Sequence, residues 1–543
     1  MTVRTSNEAR EHTRLETPPS ETASMSLESL RSLHLRPERI ASLSRGVRGG
    51  AEFVITTAPF TGQVLARLPQ SSAQDVAHAY AAARIAQQHW AARTPAQRAA
   101  PFVALHDRVL GNSELIDIIQ AETGKARNSA FEETADVAGL ALYYGRHAKK
   151  LLAPRRRRGA IPLATRTQEL RQPKGVVGVI SPWNYPLSLG ICDVIPALLA
   201  GNAVVHKPDT QTALTALAAR ELLVGAGLPA DLWQIVVGEP AEIGQPLIDQ
   251  ADHICFTGST AAGRRIAAEA AQRLIGCTLE LGGKNPMLVL ADANVKKAAK
   301  GTLRACFSSA GQLCLSIERI YIADAIYDDF VQLFAGHTRA LRLGSGPKFD
   351  YDVGSLTSQR QLDIVERHVA DARSKGADVL AGGRARPDLG PYFYEPTVLA
   401  GVTAEMEVYA NETFGPVVSL YRFSREDEAI AMANDSEFGL NASVWTRDPR
   451  RGRKIGSQIR CGTVNINEGY GAAYCSNDAP MGGMKASGQG RRHGEHGLLE
   501  YTELQTVASQ HLIGFDPLPG VSARLNSGIL AGTYTAMKRL RIR

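Results

Sequence analysis

The sequence is poor in aromatic residues, which fill only 6% of its 543 positions, and it has no apolar run near the ~20 residues that a membrane-spanning helix needs. No charge of one sign dominates either, since the formal net charge of +7 is spread along the chain. These absences predict a soluble protein without a nucleic-acid partner. Small and aliphatic residues prevail instead, and the length suits a large α/β enzyme of two or three domains.

Cysteine is also scarce: there are seven residues, an odd number, at irregular spacings and without a C-x-x-C pair. This pattern argues against a disulfide scaffold and against a structural zinc site, so we expect no metal. A reducing compartment suits it best, and we expect a cytoplasmic protein. The N-terminus lacks the apolar segment of a secretory signal, and residues 1–25 are expected to form a disordered arm.

Two stretches are rich in basic residues. Arg155–Arg158 has no aromatic platform or recognition helix beside it, so we interpret it as a solvated loop or a subunit-contact surface. Residues 511–543 combine apolar positions at helical spacing with several basic residues near the end. Such a basic amphipathic tail could lie on a membrane surface, but docking on the protein itself or on a sister subunit is the preferred interpretation.

Hydrophobic periodicity divides the middle of the chain into regions. Apolar positions at helical spacing predict several successive helices over 73–151, and the polar stretch 165–172 is a candidate projecting hairpin. Over 175–274 short buried strands alternate with helices, which predicts a doubly wound, mostly parallel sheet that binds a nucleotide. A second α/β series over 287–466 has the character of a catalytic domain.

The turn after the strand predicted at 253–257 contains Gly258 and Gly263, five residues apart. Glycines let a backbone approach a ligand closely, and the helix that follows offers N–H donors to a phosphate. The turn is not a Walker A loop, because Arg264 and Arg265 stand where Lys and Ser or Thr are required, and it lacks G-x-G-x-x-G. The sequence is compatible with two interpretations of this segment: a cofactor site, or a turn in which a helix packs tightly.

An acid and a thiol, Glu280 and Cys314, are separated by one predicted strand and one predicted helix. That length of chain can fold back on itself and bring the two side chains together. The pairing suggests covalent catalysis.

Six motifs follow one another along the chain: Ser181–Pro186, Gly258-Ser259 with Gly263, Glu280–Lys284, Gly311–Cys314, Glu412–Pro416 and Pro480–Arg491. With these motifs in this order, the chain resembles the aldehyde dehydrogenase superfamily over about residues 50–510. Within it, the chain is most similar to the bacterial branch labelled succinate-semialdehyde dehydrogenase, above all over Ala310–Arg319.

The resemblance implies an α/β fold with a Rossmann-type cofactor domain, an α/β catalytic domain and a small oligomerisation hairpin. It implies a homodimer or homotetramer that oxidises a small-molecule aldehyde. The expected division of the chain after the N-terminal arm is a cofactor-binding domain at 26–150 and 171–282, an oligomerisation segment at 151–170 and 497–510, a catalytic domain at 283–496 and the basic tail at 511–543.

The resemblance also implies roles for single residues. Cys314 is the expected nucleophile, which attacks the aldehyde as a thiolate and forms a thioester. The Asn184 side-chain amide and the Cys314 backbone N–H are the expected donors to the oxyanion. Glu280 is the expected general base for deacylation, and its position after an apolar residue suggests a pKa raised by partial burial.

For the cofactor, Lys207 and Glu412 resemble the ribose-binding pair of the family, and Phe414 resembles its contact to the nicotinamide ring. Trp183, Thr210, Gly258 and Ser259 complete the expected cofactor-binding set.

One departure concerns the choice of cofactor. Members that prefer NAD usually carry Glu three residues after the lysine matched by Lys207, and this chain has Thr210 there. Without that carboxylate a ribose 2′-phosphate is not repelled, so NADP is the expected cofactor. Asp209 next to it could still favour NAD.

A second departure concerns the substrate. Succinate-semialdehyde enzymes often clamp the distal carboxylate with two arginines, at positions where this chain has Cys192 and Ser308. Succinate semialdehyde is the expected substrate, and an uncharged aliphatic or aromatic aldehyde is the alternative.

Overall fold

A computed structural model describes residues 33, 35–50, 52–160, 164–511, 516–517 and 519–542. The arm expected at residues 1–25 lies outside the described residues. Within the described ranges, no helix has both the length and the apolar character needed to cross a membrane.

The first large sheet has six strands, and its interior strands are almost entirely buried. Its strands, in spatial order, are Gly488–Gln489, Gly276–Glu280, His253–Thr257, Val176–Ser181, Ala203–Pro208 and Trp233–Ile235. All pairs are parallel except the one between the first two strands, which is antiparallel. Continuous apolar runs of this kind are typical of parallel sheets with helices on both faces, so the doubly wound sheet predicted from the sequence is confirmed.

The second large sheet has seven strands and forms the core of the second α/β series. Its strands, in spatial order, are Asp378–Ala381, Thr397–Ala400, Val417–Phe423, Ile317–Ala323, Asn285–Val289, Asn441–Trp445 and Thr463–Ile466. Only the first strand runs antiparallel to its neighbour. Two short two-stranded sheets pair Phe53–Thr57 with Val64–Pro69 and Phe438–Gly439 with Met484–Lys485.

The predicted run of helices over 73–151 is confirmed as four helices, Ala73–Ala91, Pro95–Val109, Ser113–Thr123 and Arg127–Leu151. Ser72 and Thr94 each begin a helix with a capping box. Gly124, at φ 75°, ends the third helix in the left-handed conformation that glycine adopts readily.

Fifteen further α-helices are present in the described residues. They are Pro37–Ser44, Ser188–Ile191, Val194–Ala200, Ala213–Gly225, Pro240–Gln250, Thr260–Gln272, Val295–Phe307, Tyr327–Arg339, Gln359–Ser374, Glu407–Ala410, Glu426–Asn434, Pro449–Gly456, Gly471–Tyr474, Gly494–Leu499 and Ala523–Arg539.

The basic run at 155–158 is not a loop. Arg155–Arg157 forms an edge strand that pairs with Thr165–Pro173, which in turn pairs with Thr502–Gln510 over its full length. The strand forms because the polar segment after it folds back as its partner. The hairpin predicted at 165–172 is therefore a strand of this three-stranded sheet, whose part in oligomerisation stays a prediction.

The C-terminal tail contains a helix, Ala523–Arg539. Asn526 and Met537 are buried on one face, whereas Leu525 and Ile529 are more than half exposed on another. The amphipathic character expected for the tail is present, and its contact with a membrane or a sister subunit stays a prediction.

The first sheet brings predicted site residues to one edge, because the carboxyl ends of parallel strands lie on the same side. Asn184 follows the end of Val176–Ser181, and Glu280 is the last residue of its strand. Lys207 lies opposite Ile180, and Thr257 lies opposite Glu280 in the register of the sheet.

Candidate active site

Cys314 follows a strained segment of backbone. The helix Val295–Phe307 ends before Ser309 and Ala310, because these two residues adopt φ values of 52° and 56°. Left-handed backbone is costly for residues other than glycine and is concentrated at functional sites. The sharp turn carries the chain out of the helix and presents the Cys314 side chain to a cleft between the two large sheets.

Two glycines make the approach of this segment possible. A Cβ on Gly311, at φ 70°, would lie 2.1 Å from the carbonyl oxygen of Gly415. A Cβ on Gly283 would lie 2.7 Å from the carbonyl oxygen of Cys314. The motifs around residues 283, 311 and 415, which are far apart in the sequence, therefore pack against one another beside Cys314.

The cleft has a volume of about 390 Å³ and collects most of the predicted site residues. The predicted residues that line it are Trp183, Asn184, Gly258, Ser259, Glu280, Cys314, Glu412 and Phe414. Lys207 and Thr210 lie outside this lining: Lys207 is buried in the strand next to it, and Thr210 begins the turn that follows. In the described part of the chain, no group of His, Cys, Asp and Glu side chains is arranged to hold a metal ion.

Glu280 is buried, with 3% of its surface exposed, and its Oε1 has no hydrogen-bond partner among the described residues. Burial raises the pKa of its carboxyl to about 8, although the positive charge of Arg492 acts in the opposite direction. Burial, together with the carboxylates of Glu280 and Glu412, raises the pKa of the Cys314 thiol to about 12. Both groups are therefore mostly protonated at neutral pH in this state.

Asn184 is held from both ends. Its side-chain Nδ2 donates to the backbone carbonyl oxygen of Gln312 at 3.0 Å, and its own backbone carbonyl oxygen accepts from the Lys125 ammonium at 2.7 Å. Lys125 also pairs with Glu133 at 2.6 Å, and both side chains are buried. The Glu133 carboxylate in turn accepts from the backbone N–H of Leu187. Sequence reasoning missed Lys125 and Glu133, because neither lies in a motif.

Glu412 approaches the motif that begins at Glu280. Its Oε1 accepts from the backbone N–H of Gly283 at 2.8 Å, and a Cβ on Gly282 would lie 2.5 Å from its Oε2. Burial raises the pKa of the Glu412 carboxyl to about 8. Glycine at 282 thus leaves the space that this carboxyl occupies.

A buried ion pair fixes the loop that carries Phe414. Lys284 pairs with Glu318 at 2.5 Å, and Glu318 also accepts from the backbone N–H groups of Thr413 and Phe414. Phe414 adopts a φ of 52°, and its ring meets the Trp183 ring edge to face at a centroid distance of 5.5 Å. Lys284 and Glu318 belong to motifs noticed in the sequence, but their pairing was not predicted.

The segment after Lys207 is a tight turn. The Asp209 carboxylate accepts from the backbone N–H of Gln211 at 3.0 Å and caps the turn Thr210–Thr212. Burial raises the pKa of Asp209. At the next strand end, the Ser259 hydroxyl caps the helix Thr260–Gln272 by accepting from the N–H of Ala262.

A third buried ion pair lies one strand away from Glu280. Arg492 donates from Nε to Asp193 at 3.1 Å and from Nη2 to the other oxygen of Asp193 at 2.5 Å. Nη2 also donates to the hydroxyl of Thr257, the register partner of Glu280, and Tyr501 donates to Asp193 at 2.9 Å. Arg492 directly follows the last motif, but nothing in the sequence indicated that it pairs with Asp193.

The two positions expected to hold an arginine clamp lie in different surroundings. Cys192 is buried, and its thiol faces the carbonyl oxygen of Leu189 within the core. Ser308 accepts a hydrogen bond from the hydroxyl of Tyr470 at 3.0 Å, beside Glu132 and Arg304. Ser308 lies beside Arg304, whereas the arginine that acts on Cys192 is Arg492, which is paired with Asp193.

The aldehyde dehydrogenase family model matches residues 47–507, which is most of the chain. The chain belongs to the aldehyde dehydrogenase family. It is therefore an oxidoreductase that acts on an aldehyde, and the fold class predicted from the sequence is confirmed.

Known aldehyde dehydrogenases resemble the chain over nearly their whole length. A protein of Mycolicibacterium smegmatis with the provisional name succinate-semialdehyde dehydrogenase (NADP(+)) is 53% identical over 89% of this chain and 93% of its own. A mitochondrial succinate-semialdehyde dehydrogenase of Oryza sativa is 36% identical over 84% and 86% of the two chains. A succinate-semialdehyde dehydrogenase from Burkholderia pseudomallei has a solved structure with a TM-score of 0.81 and 34% identity, covering 84% of this chain and 95% of its own.

Proposed function

We propose that this aldehyde dehydrogenase oxidises succinate semialdehyde to succinate with NADP. The observation that carries the chemistry is the single cleft lined by Cys314, Glu280 and Asn184 together with Glu412 and Phe414. The substrate is supported by the name of the relative that is 53% identical.

Cys314 attacks the aldehyde carbonyl and forms a thiohemiacetal. Because the thiol of Cys314 has a pKa raised to about 12, a base must take its proton during the attack. Glu280, the carboxylate that acts most strongly on this pKa, serves when it is ionised. The Asn184 amide and the Cys314 backbone N–H donate to the oxygen that becomes negative.

The cleft fits a nicotinamide cofactor. Glu412 is buried at the wall next to Gly282, and the edge-to-face rings of Trp183 and Phe414 provide an aromatic surface. When bound, the cofactor accepts the hydride that leaves the thiohemiacetal. Glu412 and Lys207 would bind a ribose, and Phe414 would orient the ring.

Glu280 then releases the product. After the proton taken from Cys314 has passed to solvent, the ionised carboxylate takes a proton from a water molecule, which attacks the thioester on Cys314 and frees the carboxylic acid and the thiol. The Oε1 of Glu280 has no hydrogen-bond partner among the described residues, so it is free to accept from that water.

We propose NADP in preference to NAD for two reasons. Thr210 stands where a glutamate would meet a 2′-phosphate, and Asp209 is engaged in capping the turn Thr210–Thr212. The ratio of kcat/KM for NADP and NAD tests this, and a strong preference for NAD would contradict it.

The substrate proposal is tested by NADPH formation from succinate semialdehyde and from butanal, a neutral aldehyde of equal length. A higher kcat/KM for succinate semialdehyde is expected. An uncharged aldehyde is the second candidate, because neither Cys192 nor Ser308 supplies the positive charge of the arginine clamp. Equal values for the two aldehydes would favour it.

We also propose a cytoplasmic homodimer or homotetramer whose subunits meet through the three-stranded sheet. Thr502–Gln510 is an edge strand, and Leu504 and Val507 on it are 62% and 47% exposed. An unpaired edge with exposed apolar side chains is a site for pairing with another chain. Light scattering on the purified protein would measure the mass, and a monomer would contradict the proposal.

A further inference from the structure

A second cavity, of about 330 Å³, opens beside Ser308 and shares no lining residue with the cleft that holds Glu280 and Glu412. Its lining includes Phe131, Glu132, Asp136, Arg304, Tyr470 and Tyr474. Aromatic rings form much of its wall, and the charged groups lie among them. The cavity thus has the composition of a small-molecule site, apolar with a few polar groups.

Tyr185 connects this cavity with the nucleophile. Its ring is buried, and its hydroxyl has no hydrogen-bond partner among the described residues. The hydroxyl lies within electrostatic range of Cys314 and also of Glu132 and Tyr470. Tyr185 directly follows Asn184, which lines the cleft, so it links the cleft with the second cavity, and an aldehyde bound to Cys314 can extend past Tyr185 towards Tyr470.

Arg304 is the cation of this cavity. Its Nη2 pairs with Glu132 Oε1 at 3.1 Å, and its guanidinium lies 5.3 Å from the centre of the Tyr470 ring. These two contacts orient a side chain that is still 53% exposed. The ion pair uses one of three guanidinium nitrogens, and the planar group has five N–H donors, so a second carboxylate can bind.

We propose that Arg304 binds the distal carboxylate of the aldehyde and so determines the preference for an acidic substrate. It lies on the helix Val295–Phe307, one turn before Ser308, the residue that caps the end of this helix. The inference rests on the proposed function. Arg304 supplies a positive charge next to Ser308, which itself carries no charge.

The acidic groups of the cavity set the strength of this binding. Glu132 competes with the substrate for Arg304, because it already pairs with the guanidinium. Asp136 accepts from the Tyr474 hydroxyl at 2.8 Å, and burial raises its pKa to about 6. Glu132 is therefore the main competitor, and its neutralisation should strengthen the binding of an acidic aldehyde.

The test compares succinate semialdehyde with butanal in the full-length enzyme, with NADPH formation as the readout. Arg304→Gln should lower kcat/KM for succinate semialdehyde on the order of 10- to 100-fold, as expected for a lost hydrogen bond to a charged group. The effect on butanal should stay below about threefold. Lys297→Gln, two turns earlier on the same exposed helix face and outside the cavity lining, removes the same charge and should leave the preference for succinate semialdehyde unchanged.

Glu132→Gln provides an independent measurement if Arg304→Gln does not fold. It should raise kcat/KM for succinate semialdehyde by several-fold and leave butanal unchanged, because it frees Arg304 from its competitor. An unaltered preference in Glu132→Gln, or in a folded Arg304→Gln, would overturn the inference. A wild-type enzyme without any preference for succinate semialdehyde would instead overturn the proposed function itself.

Discussion

The two cavities near Cys314 differ in how their charges are held. Beside the cleft, the side chains of Lys284 and Glu318 are 1% and 3% exposed, and Glu318 also accepts from the backbone N–H groups of the loop that carries Phe414. In the second cavity, Arg304 and Glu132 are 53% and 28% exposed and are tied mainly to each other and to Tyr470. Breaking a buried pair costs about 3–5 kcal/mol, whereas an exposed pair contributes about 0–1 kcal/mol.

From this difference we infer that the two cavities have different functions. Groups that stabilise a transition state need fixed positions in a site without water, so their supporting contacts must be strong. Groups that select a substrate need only distinguish one aldehyde from another, and exposed pairs can be exchanged without loss of the fold. Substitutions in the cleft should therefore change rates, and substitutions in the second cavity should change preferences.

The largest effect is expected at Cys314. Cys314→Ala removes the nucleophile and should lower NADPH formation by roughly ten-thousand-fold or more. Binding of NADP, measured by calorimetry, should persist because the cleft keeps its other lining residues. Cys277→Ala is the matched control at another partly exposed cysteine. Turnover near wild type in Cys314→Ala would refute the nucleophile and with it the assignment of the cleft to chemistry.

The second-largest loss of activity is expected at Asn184. Asn184→Ala removes one oxyanion donor, and kcat should fall on the order of 100- to 1,000-fold. Gln312, whose carbonyl oxygen the amide contacts, stays in place, so the melting temperature should change little. The effect should be equal for succinate semialdehyde and butanal, because the oxyanion is common to both. A loss of activity with only one of the two aldehydes would contradict the assignment of rate to the cleft and of substrate preference to the second cavity.

The pH dependence of kcat should reflect Glu280. A base acts when it is ionised, and the pKa of Glu280 is raised to about 8, so kcat should rise with pH through about 8. The groups that face Glu280 are Cys314, Arg491, Arg492 and Asp193.

Arg492→Gln removes a charge that lowers the pKa of Glu280, and the midpoint should move to higher pH by about one pH unit. Arg492→Lys keeps the charge and should keep the midpoint. Circular dichroism would check that both variants fold, since each perturbs a buried pair. A midpoint that stays in place in a folded Arg492→Gln would show that this pair does not act on the base.

The sequence predicted the parallel sheets well, because strands buried on both faces read as continuous apolar runs, and the strand expected at 253–257 has those bounds in the structure. It also indicated the residues of the cleft, since they lie in motifs at strand ends. It did not predict the partnership of Lys125 with Glu133 and Asn184, which depends on how helices dock. Likewise, no local pattern shows that the segment after Phe307 turns left-handed, because the packing against Gly415 imposes it.

The smallest effect is expected at Tyr470, where a substitution should weaken substrate binding in the second cavity without changing the rate of the chemical step. Tyr470→Phe keeps the ring under Arg304 but removes the hydroxyl that contacts Ser308 and Glu132 at 3.0 and 3.1 Å. A neutral hydrogen bond contributes about 0.5–1.5 kcal/mol, so KM for succinate semialdehyde should change less than about tenfold while kcat stays near wild type. Steady-state kinetics with both aldehydes would separate the two constants. A large fall in kcat would mean that the second cavity also takes part in the chemical step, and the contrast between the two cavities would not hold.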